Sequence, residues 1–84
     1  MLFRSVEALR LAEKVYNDRK TIFTADAYAW ALFKNNQVEK AAALSVEALR
    51  FGGYNETLIW HAEMITEALG NSREANELSR QNNL

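Results

Sequence analysis

Apolar side chains recur along this chain at helical spacing. At about 100° per residue, Leu2, Ala8, Leu9, Leu11, Ala12, Val15 and Tyr16 fill one half of a cylinder, and Phe3 and Val6 widen it. No stretch alternates with period two for long enough to argue a strand. The breaks are few. Gly52-Gly53, Gly70 and Asn35-Asn36 are the candidate helix ends, because glycine and asparagine accept the left-handed step that closes a helix. Asn36 with Glu39, and Asn71 with Glu74, have capping-box spacing, and Thr24 and Asn55 are simpler N-caps. The pattern predicts five helices, over 3–17, 25–35, 37–51, 56–69 and 72–81, with a polar, frayed tail from Gln81.

Composition narrows the function classes. The 84 residues are 49% hydrophobic and 25% charged, which is globular. So short a chain has a marginal core and depends on regular local packing, a partner or a second copy. The absence of Cys excludes disulfides and thiolate metal sites. A net charge of −1 with no Lys/Arg cluster argues against nucleic acid and against a polybasic membrane patch. Arg4, Glu7 and Arg10 interrupt the apolar start, so it does not read as a signal peptide. No run approaches the ~18 apolar residues of a membrane span. A cytoplasmic location is the expectation.

The chain also matches itself. At an offset of thirty-four, Ala41 falls on Ala75, Leu44 on Leu78, Ser45 on Ser79, and Asn36 on Gly70. Ala8, Ala12 and Val15 repeat the spacing of Ala41, Ser45 and Ala48. Two helices per unit and this period resemble the tetratricopeptide repeat. Ala29, Ala41, Ala48, Ala75 and Gly70 match its small and turn positions, and the stretches Thr24–Leu32 and Trp60–Gly70 look like a bacterial variant of it. Glu63, where a small residue belongs, and Gly53, in place of the usual proline, depart from the pattern. The resemblance implies an all-α solenoid, a right-handed superhelix of antiparallel helix pairs. Residues 1–21 would be a half repeat, 22–55 one repeat and 56–84 another.

The resemblance also implies a function, as a non-catalytic module that binds a protein or peptide in a concave groove. Carried over position by position, the groove residues are Phe23, Asp26, Trp30, Phe33 and Lys34, then Thr57, Trp60, Met64, Glu67 and Ala68. Aromatic and Met side chains are enriched at binding surfaces, so an apolar segment would anchor on Trp30, Phe33, Trp60 and Met64. Asp26, Lys34 and Glu67 would orient it. The Lys and Asn with which some family members clamp a C-terminal carboxylate are absent from the matching positions, where Asp26, Trp30, Trp60 and Met64 stand. The alternative is a self-associating structural protein, a homodimer sealed through Leu2, Phe3, Val6 and Leu9 of the broad first helix face.

Candidate chemistry is sparse. His61 is the one histidine, and a zinc site needs three or four ligands. Within its own helix, His61 does not share a face with Glu63. Glu63 and Glu67 read as a solvated acidic face. The serines lack a nucleophile elbow, and no phosphate-cradling glycine loop occurs. No enzyme, metal or cofactor is expected. Glu47 with Arg50 and Arg73 with Glu77 have the spacing of surface helix pairs.

Overall fold

The computed structural model describes residues 2–51 and 55–82. They form four helices and, among the described residues, no strand: α1 (Leu2–Asp18), α2 (Ile22–Lys34), α3 (Val38–Arg50) and α4 (Glu56–Asn82). Gly52 and Gly53 lie outside the described residues. No helix among the described residues is long and apolar enough to cross a membrane.

Local chemistry sets the helix ends. Thr21, not Thr24, caps α2, which therefore begins three residues earlier than its apolar pattern suggests. The Thr21 Oγ1 accepts from the Thr24 amide at 3.1 Å, and the Thr24 Oγ1 accepts from the Thr21 amide at 2.9 Å. Two threonines thus form the reciprocal box that Ser/Thr and Glu usually make. Thr21→Ala should lower stability by about 1 kcal/mol, read as a lower urea midpoint with an unchanged slope.

At the other end of α2, Asn36 adopts φ 64°. Its amide donates to Phe33 O at 3.0 Å and the Gln37 amide to Leu32 O at 2.9 Å, the paired bonds of a Schellman closure. Asn36 is consumed in ending α2, so it does not cap α3. Gln37 stands at that N-cap with no side-chain bond, and the Asn36–Glu39 box does not form. Asn55 does cap α4, its Oδ1 accepting from the Thr57 and Leu58 amides at 3.0 and 3.2 Å.

Side-chain contacts give the helix directions. Asn35, after α2, donates from Nδ2 to Ser5 O near the start of α1, while Thr24, early in α2, donates to Arg19 O just beyond the end of α1. These two helices are antiparallel. Ala25 packs with Ala48 and Leu58, whereas Ala29 and Leu32 pack with Ala41 and Ile65. So α3 runs against α2, α4 runs against α3, and α4 runs parallel to α2. The α2 helix lies in a furrow between α3 and α4.

Small residues make this packing possible. Ala25, Ala29, Ala41 and Ala48 are at most 2% exposed, and each brings a backbone close to its neighbour. Leu32 and Ile65 are the largest fully buried side chains. No buried polar side-chain atom lacks a hydrogen-bond partner among the described residues.

One expected boundary is missing. The segments 56–69 and 72–81 are a single continuous helix, so the described residues hold four helices rather than five. Glycine inside a helix costs only about 1 kcal/mol relative to alanine. A turn at Gly70 would forfeit several backbone hydrogen bonds. The segment beyond it offers little apolar surface in return, chiefly Ala75 and Leu78. A Cβ at Gly70 would meet nothing within 4 Å. The Asn71–Glu74 box cannot form because both residues are mid-helix. From Gly70 to Leu78 every residue is exposed, and Arg73 reaches back to Glu39 of α3 at 3.6 Å rather than pairing with Glu77. Glu47 and Arg50 do pair, at 3.6 Å.

Candidate functional site

The α1–α2 hairpin leaves an open furrow along its seam. Its larger section has a volume of about 710 Å³. Ala8 and Ala12 of α1 and Ala27 and Ala31 of α2 line it, and Trp30, Lys34 and His61 stand along its side. A second, apolar section of about 360 Å³ continues past Leu11, Val15 and Phe23. Alanines on both helices keep the furrow wide.

Trp30 organises the wall. Its indole lies nearly parallel to the His61 imidazole, with centroids 3.9 Å apart and planes at 17°. Phe33 and Trp60 tilt against it at 5.2 and 5.7 Å, and the Lys34 Nζ sits 5.5 Å from the ring centroid, within cation–π range. Trp30 is half-buried, packed on the core beneath it as well as bordering the furrow.

Asp26 is not a free rim charge. Its two carboxylate oxygens lie 2.9 and 3.1 Å from His61 Nδ1, and both side chains are largely shielded from solvent. With Nδ1 as donor, this bond ties α2 to α4 and fixes the imidazole flat against Trp30. Asp26 thus positions the wall of the furrow. His61, which finds no partner among its sequence neighbours, lines the candidate site. The signal was present: Asp26 and His61 are thirty-five apart, one more than the repeat offset, so they sit at nearly equivalent places on parallel neighbours.

The other expected groove residues divide. Phe23 is 66% exposed and lines the apolar section. Phe33 packs on the core. Trp60 is 53% exposed and extends the aromatic wall, with half-buried Met64 one turn along its helix. Thr57 and Glu67 are exposed and Ala68 is half-buried; Glu67 borders a different depression, between α3 and α4.

The expected self-association strip also changes. The side chains of Leu2 and Phe3 lie outside the described set. Leu9 is not exposed, because it packs against the core formed by α2, α3 and α4. Val6 is 43% exposed, and the larger apolar exposure is at Leu11 and Phe23 beside the furrow.

On the outer part of the hairpin, the Tyr28 hydroxyl donates to Glu13 Oε2 at 2.9 Å. Burial, then that bond, raises the Tyr28 pKa above its ordinary 10.0. Tyr16 tilts against Tyr28 at 5.6 Å. Among the described residues, no group of three His, Cys, Asp or Glu could hold a metal ion.

Comparison with protein-family models, with curated proteins and with solved structures returns no match to this chain.

Proposed function

We propose that this chain is a non-catalytic helical-repeat module that binds an apolar helix or extended segment of a partner protein along the α1–α2 furrow. One observation carries the reading. The α2 helix lies in a furrow walled by α3 and α4. The equivalent furrow one unit earlier, between α1 and α2, is open. The floor positions correspond: Ala8, Ala12 and Val15 repeat Ala41, Ser45 and Ala48, while Thr24, Ala27 and Ala31 stand thirty-four before Leu58, His61 and Ile65. That correspondence supports a superhelical stack of helix pairs in the tetratricopeptide manner, with the second pair drawn out into one helix.

In this reading the alanine floor lets a partner backbone approach closely. Trp30, held by His61 and Asp26, supplies a rigid aromatic anchor with little rotamer entropy left to lose. Lys34 and Asn35 at one end give direction to the bound segment. The test is to fill the floor. Ala27 is exposed, so Ala27→Arg should leave the melting temperature unchanged while blocking the furrow. A fluorescent peptide carrying residues 22–34, the sequence that occupies the equivalent furrow, should bind the parent protein saturably and fail to bind the variant. Equal binding to both would refute the site.

A second reading has its own observation. Val6 is 43% exposed on the side of α1 opposite Val15 and the furrow, an apolar position that a second copy could cover about a two-fold axis. Val6→Glu should then convert a dimer to a monomer in light scattering, and an unchanged mass would remove this reading.

A further inference from the structure

The α4 helix is 27 residues long, about twice the 13 of α2 or α3. Beyond Gly70 the helix runs on past the body as an arm, and its last thirteen residues, 70–82, equal α3 in length. The arm carries Ala75 and Leu78, thirty-four residues after Ala41 and Leu44. Ala41 is fully buried and Leu44 packs against the same core, which holds Ala29 and Leu32 of α2 and Ile65 of α4. Their counterparts in the arm are exposed, Leu78 by 54%.

The surface that such a helix covers is exposed too. An open depression of about 490 Å³ runs along α4 beside Leu49, lined by Ile59, Ala62, Glu63 and Thr66. Minus thirty-four, these four are Ala25, Tyr28, Ala29 and Leu32. Of these, Ala25 packs with Ala48 of α3 and Ala29 and Leu32 pack with Ala41 of α3, while the Tyr28 ring meets α1. The chain therefore carries both halves of a second α2–α3-type seam, and both are unfilled. The arm cannot reach the depression of its own chain, because it continues the same helix axis through Gly70.

We infer that the arm of one copy fills the α3–α4 depression of a second copy, and the reverse, as a reciprocally exchanged two-fold dimer. The helix that would have folded back at Gly70 instead crosses to a neighbour, as in domain swapping through an opened hinge. Ala75 and Leu78 take, against the partner's Glu63 and Thr66, the places that Ala41 and Leu44 hold in the cluster with Ala29 and Leu32. Glu63 stands where Ala29 does, so this seam is more polar than its model and the exchange is concentration-dependent. The dimer leaves both α1–α2 furrows open, and the inference does not rest on their binding anything.

Three variants of the full chain test it by light scattering across a dilution series. Leu78→Glu should raise the dimer dissociation constant by about a hundredfold, because two copies of the leucine leave the interface and each contributes about tenfold. Gly70→Ala, which favours the continuous helix at no steric cost, should keep or tighten the dimer. Val6→Glu should leave it intact. With no native cysteine, single variants Thr66→Cys and Ala75→Cys can be mixed and oxidised. A disulfide between the two chains is expected. A disulfide formed only inside the double variant would mean that the arm folds back on its own chain. A mass insensitive to Leu78→Glu, or a dimer lost in Val6→Glu, would overturn the exchange.

Discussion

Ile65→Ala should remove about 3 kcal/mol of folding stability. Ile65 is fully buried, on the face of α4 that packs with Ala29, Leu32 and Ala41. It joins three helices, so its loss leaves a cavity that no single side chain can close. A domain of this size is stable by roughly 4–13 kcal/mol, so the loss is a large fraction of the whole. At about 4–8 °C per kcal/mol, the melting temperature should fall by more than ten degrees, to be read by far-UV circular dichroism and urea titration. Leu11→Ala is the matched control. Leu11 is 63% exposed, and its truncation should change stability by less than about 0.5 kcal/mol. Equal losses from the two variants would mean that the helices do not pack as described.

Trp30→Ala carries the second large effect, and it falls on binding more than on folding. Trp30 is half-buried and holds contacts to His61, Phe33, Trp60 and Lys34, so truncation should cost about 2 kcal/mol of stability. Helix content should survive, because Leu32, Ile65 and the alanine seams lie deeper. If Trp30 is the aromatic anchor proposed for the furrow, its truncation should cost the peptide complex at least about 2 kcal/mol, or roughly thirtyfold in affinity. Trp60→Ala separates the roles. It is 53% exposed and outside the furrow lining, so it should leave stability nearly unchanged and weaken binding less. A Trp30→Ala protein that loses stability but binds the peptide as before would make Trp30 a packing residue only.

Much of this architecture is legible in the residues because helix packing leaves a simple signature. Ala29, Ala41 and Ala48 stand out as small residues at repeat positions, and all three are buried where helices approach closely. Asn35-Asn36 announces the α2 end because a left-handed residue was needed there, and Asn36 supplies it. Gly70 announced an end that does not occur. A glycine permits a turn, but the turn forms only if the chain beyond it buries enough surface, and Ala75 and Leu78 are too little. The Asp26–His61 bond was hidden for another reason. Spacing rules within one helix pair neighbours three and four apart, whereas this bond joins two parallel helices across thirty-five residues. It becomes visible only when the repeat offset is applied to polar residues as well as to alanines. The Thr21 cap was missed because Thr24 plays the part usually given to Glu or Gln in the reciprocal box.

An amide chemical-shift titration of the intact protein with the peptide of residues 22–34 locates the binding surface residue by residue. Saturable shifts are expected at Ala8, Ala12, Ala27, Ala31 and Trp30, with Ala41, Ala48 and Ile65 unmoved. Shifts confined to α3 and α4, or none at all at saturating peptide, would contradict the claim that the α1–α2 furrow is a binding site.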